Sequence, residues 1–139
     1  MTMNVYFGAS IRGGRDHVSV YTSIQKLLAC YRHVLTEHIG DSSLTSYGEC
    51  DKSDIAIFKR DVAWIDMSDI VVLEVTNPSL GVGWEAAYAQ LQGKKVVCLF
   101  NQHLAKGKLS AMIAGNEGVN LLRYQDIQEV AAFFNLSFR

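Results

Sequence analysis

Apolar positions along this chain switch repeatedly between the period of a strand and the period of a helix. Met3-Asn4-Val5-Tyr6-Phe7-Gly8-Ala9 is a short run of β-formers that ends in small residues, which predicts a first strand. Ser10–Asp16 reads as a loop. From His17 to about Arg32, Val20, Ile24, Leu27, Leu28 and Tyr31 recur at helical spacing. His33–His38 fits a second strand. Gly40–Ser53 is dense in Ser, Asp and Gly and has the composition of a loop or lid. Asp54 to about Met67 is again helical, with Ile57, Phe58, Val62 and Ile65 on one face. Ile70–Val75 is the most strand-like run of all. A polar junction and a helix from Trp84 to Gln92 follow, with Gly93 as the helix C-cap. Lys95–Phe100, Asn120–Tyr124 and the helices Leu109–Ala114 and Ile127–Asn135 complete the pattern.

Strands that alternate with helices, two of them almost continuously apolar, imply a parallel sheet covered on both faces. Five strands and about five helices fit a flavodoxin-like (Rossmann-like) α/β fold of strand order 2-1-3-4-5. In that order a crevice lies between the carboxyl ends of the first and third strands. The loops that meet there are Gly8–Gly14 and Thr76–Glu85.

Composition narrows the class without choosing a function. The 139 residues are enough for one domain with its own core, and no internal repeat or linker divides them. A net charge of −1 gives no global field toward nucleic acid or an anionic membrane. Cys30, Cys50 and Cys98 have unrelated spacings and no C-x-x-C, which fits a reducing compartment better than a disulfide framework or a zinc site. Without a basic-then-apolar leader or an apolar run near the ~20 residues a membrane helix needs, a soluble protein of the cytoplasm, or also of the nucleus in a eukaryote, is expected.

The glycine-rich motifs point to an anion. Gly8-Ala9-Ser10-Ile11-Arg12-Gly13-Gly14 has the glycine spacing of a Walker A loop, but Gly14-Arg15 stands where Lys-Ser/Thr is required. ATP or GTP hydrolysis is therefore disfavoured, while Ser10 and the planar fork of Arg12 suit a monophosphate. A plain tight turn is the competing reading. Gly81-Val82-Gly83-Trp84-Glu85-Ala86 matches the dinucleotide pattern only formally. It follows the third strand, and Asn101 and Gln102 stand where an acid should hold the ribose.

Two carboxylates carry the candidate chemistry. Asp61 sits on a helix between Phe58 and Trp64, and Glu85 is expected in the first turn of its helix. A pair of this kind cleaves glycosidic bonds. One acid, its pKa raised by apolar surroundings, protonates the leaving group, while the other, kept ionised by the helix dipole, attacks the sugar. A separation of ~5 Å implies retention and one of ~6.5–9.5 Å implies inversion. Asp61 can equally pair with Lys59 or Arg60, and Glu85 can simply favour the dipole. Glu74, inside a strand, is expected to face a packed partner. His17, His33 and His103 show no metal-ligand spacing.

Tyr6–Gly14, Leu35–His38, Arg60–Trp64, Val75–Glu85 and Leu109–Ile113 occur in one order. Together they resemble the 2'-deoxynucleoside 5'-monophosphate N-glycosidases (N-hydrolases), a branch of the nucleoside 2-deoxyribosyltransferase superfamily, from about Asn4 to Tyr124. The resemblance implies the same flavodoxin-like fold and hydrolysis of a deoxynucleoside monophosphate to free base and 2-deoxyribose 5-phosphate. It implies Glu85 as the nucleophile of a glycosyl-enzyme, Asp61 as acid/base beside the leaving base, and Tyr6 as the group that orients Glu85. Ser10, Ile11, Arg12, Gly13, Ser79 and Gly81 would hold the 5'-phosphate, and His38, Ile57 and Met112 would line the sugar and base. Ser110 would reach the phosphate of a partner subunit, which implies a homodimer. No metal or other cofactor is implied.

Ala9 and Trp84 stand where family members can carry glycine and tyrosine, and Gly40–Ser53 looks divergent. Base preference is the least specified part of the resemblance. A transferase moving deoxyribose between bases, a ribonucleotide N-hydrolase and a non-catalytic nucleotide-binding module are the alternatives. The phosphate-suited serines speak against the first.

Overall fold

The sheet is built around Ile70–Glu74, five buried residues flanked by strands on both sides. A computed structural model describes residues 3–10, 17–31, 33–35 and 52–138. Its elements run β1 (Asn4–Gly8), α1 (Val18–Ala29), β2 (His33–Val34), α2 (Asp54–Met67), β3 (Ile70–Glu74), α3 (Leu80–Leu91), β4 (Lys95–Asn101), α4 (Ala111–Ala114), β5 (Asn120–Tyr124) and α5 (Ile127–Ser137). The strand order is β2-β1-β3-β4-β5 and every pairing is parallel, as the sequence pattern predicts.

Side chains on successive strand residues point to opposite faces and build two cores. Phe7, Val72, Val97 and Leu99 pack with Tyr21, Ile24 and Leu28 of α1 and with Phe134 of α5. Tyr6, Val71, Leu73, Val96 and Cys98 pack on the other face with Ile65 of α2 and with Val82, Ala86 and Ala89 of α3. Cys98 is a buried strand residue, as expected, and burial pushes its thiol up to about 12.

The boundaries of α2 coincide with the predicted ones, because Ser53 caps it by accepting a hydrogen bond from Ala56 N at 3.1 Å. Gly93 ends the α3 segment with φ 75°, a left-handed conformation that glycine adopts without strain. The start of α3 differs from expectation. The helix begins at Leu80, not Trp84, because the Ser79 hydroxyl oxygen accepts from Val82 N at 3.3 Å and caps it four residues earlier. Gly81 and Gly83 are therefore helical, although each weakens a helix by about 1 kcal/mol relative to alanine. α4 is likewise shorter than Leu109–Ala114, since Ser110 caps it. For the second strand, positions 36–38 lie outside the described residues, as does most of Gly40–Ser53. Among the described residues no helix is long and apolar enough to cross a membrane.

Candidate active site

A cavity of about 640 Å³ opens where β1 and β3 end side by side. These are the strands from which the chain winds outward in opposite directions, the usual place for a ligand in such sheets. Ala9 lines the cavity just past β1, and Ser79–Val82, Trp84 and Glu85 line it from the junction of β3 and α3. The opposite wall is one stripe of α2, where Ile57, Phe58, Asp61, Val62 and Ile65 recur at intervals that put them on one helical face.

Glu85 is the most constrained group there. It lies in the second turn of α3, not the first, so the helix terminus does not govern its ionisation as the sequence suggested. Its Oε2 accepts a hydrogen bond from the hydroxyl of Tyr6, a β1 residue that is 1% exposed. Burial raises the Glu85 pKa to about 8 against the bond from Tyr6, and the negative charge of Asp61 adds to the rise. Burial and the charges of Glu85 and Asp61 likewise hold the Tyr6 phenol well above its usual range. The three groups thus act on one another electrostatically.

The environments of the two acids are reversed relative to expectation. Asp61 is the more open one: its Oδ1 pairs with Arg60 Nη2 at 2.9 Å, and its side chain is 24% exposed. The Arg60 guanidinium also lies 4.7 Å from the centre of the Trp64 ring. Pairing with Arg60 was the alternative left open, and it is the arrangement present.

Several groups suit an anion. Ser10 is fully buried just past β1, and its hydroxyl has no hydrogen-bond partner among the described residues. The Nδ2 of buried Asn77, in the loop after β3, is in the same condition. A buried donor left unpaired costs about 1–3 kcal/mol, which a bound acceptor recovers. Ser79 spends its lone pair on the helix cap and keeps its hydroxyl hydrogen to donate. The first amides of α3 add the positive end of the helix beside it. Gly81 and Gly83 sit within α3, where they cannot form the turn that a dinucleotide fingerprint places ahead of its helix.

The family model for nucleoside 2-deoxyribosyltransferase matches residues 5–120. The chain belongs to this family. It is 49% identical over 127 residues to the 5-hydroxymethyl-dUMP N-hydrolase of Danio rerio, covering 91% of this chain and 88% of that one. It is 43% identical over 129 residues to the 5-hydroxymethyl-dUMP N-hydrolase of Esox lucius, with the same coverage of 91% and 88%. Among solved structures, the CMP N-glycosidase of Clostridium botulinum superposes with a TM-score of 0.67 at 17% identity over 96% of this chain and 98% of that one, which speaks for the fold.

Other predicted residues fall into three groups. Ile57, Ser79 and Gly81 line the cavity. Ser110 and Met112 are exposed beside α4 and do not line it, with Met112 81% accessible. Ile11, Arg12, Gly13 and His38 lie outside the described residues.

Sequence reasoning missed features specific to this member of the deoxyribosyltransferase family. Phe58 and Trp84 meet edge to face at the cavity, 5.2 Å between ring centres, and Trp84 stacks on Tyr88 at 5.0 Å. The Trp84–Tyr88 contact is legible as a four-residue spacing, but the bridge to Phe58 joins two helices and has no local signal. Gly8 was read as the end of a strand. A Cβ there would meet Leu73 Cδ2 at 2.7 Å, Glu85 Oε1 at 3.2 Å and Tyr6 Cε1 at 3.3 Å, so bare backbone is what admits the Tyr6–Glu85 pair.

Proposed function

We propose that this protein hydrolyses the N-glycosidic bond of 2'-deoxynucleoside 5'-monophosphates, releasing free base and 2-deoxyribose 5-phosphate. The observation that carries this reading is the Tyr6-bound carboxylate of Glu85 in the same cavity as Asp61, beside the N-terminus of α3. The relatives named as 5-hydroxymethyl-dUMP N-hydrolases support the same substrate class.

In the proposed mechanism Ser79, the first amides of α3, Ser10 and Arg12 hold the 5'-phosphate and set the sugar over Glu85. The proton that burial keeps on Glu85 first passes to Asp61. The Glu85 carboxylate then attacks the anomeric carbon as the bond to the base breaks, and Asp61 delivers that proton to the departing base. Asp61 then takes a proton from water, whose oxygen displaces Glu85 and yields the 2-deoxyribose 5-phosphate. Tyr6 aims the nucleophile and stabilises its ionised form. The aromatic wall of Phe58 and Trp84, with Ile57, is assigned to the base. The reaction so written needs no metal or organic cofactor.

A homodimer completes the reading. Away from the cavity α3 exposes Leu91 at 84%, and Met112 is exposed on α4. Apolar residues on both sides of one helix suit a partner on the outer side. Ser110 would then reach the partner's phosphate site.

The test is to incubate the protein with each deoxy- and ribonucleoside monophosphate and separate free base by chromatography, with and without a second base. Base release from deoxynucleotides alone is expected. Transfer to the second base would replace hydrolase by transferase, and no release from any substrate would overturn the enzymatic reading.

A further inference from the structure

The apolar run of β3 is broken by Glu74, which is 1% exposed and lies on the face of Val72, opposite Leu73 and the catalytic cavity. An aliphatic side chain would continue the core there, so an acid needs a reason. Taking a carboxylate out of water costs several kcal/mol unless hydrogen bonds replace its hydration. Two of its bonds come from Thr76, in the stretch that leads into α3. Oε1 accepts from Thr76 N at 2.7 Å and Oε2 from Thr76 Oγ1 at 2.9 Å. Oε2 also accepts from the hydroxyl of Tyr124, the last residue of β5. Thr76 Oγ1 in turn accepts from Asn101 N, at the end of β4, at 2.9 Å.

One carboxylate thus ties the turn after β3 to the ends of two neighbouring strands. Thr76, Asn77, Tyr124 and Asn101 are all buried around it. Burial raises the Glu74 pKa, while the bonds from Tyr124 and Thr76 and the nearby His17 oppose the rise. Three residues beyond Thr76 stands Ser79, which caps α3 and borders the cavity.

We propose that Glu74 is a positioning residue for the phosphate-holding junction: it fixes the Thr76–Ser79 turn so that Ser79 and the N-terminus of α3 meet the substrate's 5'-phosphate. This rests on the assignment of Ser79 to the phosphate under the proposed function. Glu74 touches no substrate and acts through Thr76. A neutral amide of the same shape would set its NH2 against the Thr76 N–H or, turned over, would present a donor to Oγ1 of Thr76 and to the hydroxyl of Tyr124, both of which now donate. Either hydroxyl would have to turn its hydrogen into an apolar surrounding.

The test compares steady-state kinetics of Glu74→Gln, Thr76→Val, Thr76→Ser and Ser79→Ala on a deoxynucleoside monophosphate, with a thermal melt of each. Glu74→Gln and Thr76→Val are expected to raise KM about tenfold, as loss of one buried hydrogen bond to a charged group does, with kcat within about threefold. Thr76→Ser, which keeps the hydroxyl, should keep the parent KM. If Glu74→Gln does not fold, Thr76→Val carries the comparison. A raised KM in Ser79→Ala with an unchanged KM in the Glu74 and Thr76 variants overturns the positioning role alone, and so does a lowered melting temperature without a change in KM. An unchanged KM in all four, Ser79→Ala included, overturns the phosphate assignment and the positioning role with it.

Discussion

Glu85 is under two opposing demands if it serves as the proposed nucleophile, since a nucleophile must be ionised and the surroundings of this carboxyl favour its proton. Between its ordinary value of 4.5 and about 8, the folded protein retains a proton that the unfolded chain releases. The stability contributed by this group is therefore complete below about pH 4.5 and is lost as pH rises through 8. Glu85→Gln should melt with the parent at pH 4 and above it at pH 9, the gap widening across that window in a calorimetric series. The same variant should bind nucleotide yet lose turnover, while kcat/KM of the parent, which reports the free enzyme, should fall as pH rises through 8 and the proton passed to Asp61 is lost. Tyr6 pulls the Glu85 pKa down through its hydrogen bond. Tyr6→Phe should lower kcat at pH 7 about 10- to 100-fold and move the fall in kcat/KM to higher pH, measured by the same profile. None of this electrostatics was legible locally, because Tyr6 and Glu85 are 79 residues apart and only the fold brings them together.

At the scale of elements, Ser79 caps α3 and is also the residue proposed to hold the phosphate, which would join helix stability to ligand binding. Ser79→Ala removes the N-cap and should destabilise the protein by about 1 kcal/mol while raising KM for the monophosphate. Ser79→Asp separates the two effects: an aspartate caps as well as serine but sets a negative charge against the phosphate. It should keep the parent melting temperature and lose affinity, read by calorimetric titration. The helices and strands were readable from periodicity wherever a face is buried, which is why α2, with its serine cap and its stripe from Ile57 to Ile65, agrees to the residue. The beginning of α3 was not. Pro78, Gly81 and Gly83 argue locally for a loop, and one capping bond outweighs them. The reversal of the two acids has another origin, since burial in the fold raises the Glu85 pKa while Asp61 pairs with Arg60 at a partly exposed position.

For the molecule as a whole, the strand order followed from two almost continuously apolar strands among alternating helices, since only a parallel sheet buries both of their faces. The position of the cleft followed from that order. The surface gives a further expectation. If Ser110 serves the partner's site, Glu85→Ala and Ser110→Ala proteins mixed and exchanged should recover activity that neither has alone, because one of the two sites in a mixed dimer is intact. Leu91→Glu, on the exposed side of α3, should shift the protein toward monomer in size-exclusion chromatography.

β1 lies inside the sheet, between β2 and β3, although it is the first element of the chain. On a ribosome it emerges with no neighbour to accept it: its Val5 waits for Ile70, and Tyr6 waits longer still for Glu85. Any nascent chain that stops short of α3 therefore carries the Tyr6 phenol without the carboxylate that accepts its hydrogen bond. The Tyr6–Glu85 pair exists only once β1 lies in the middle of the sheet with α3 packed against it.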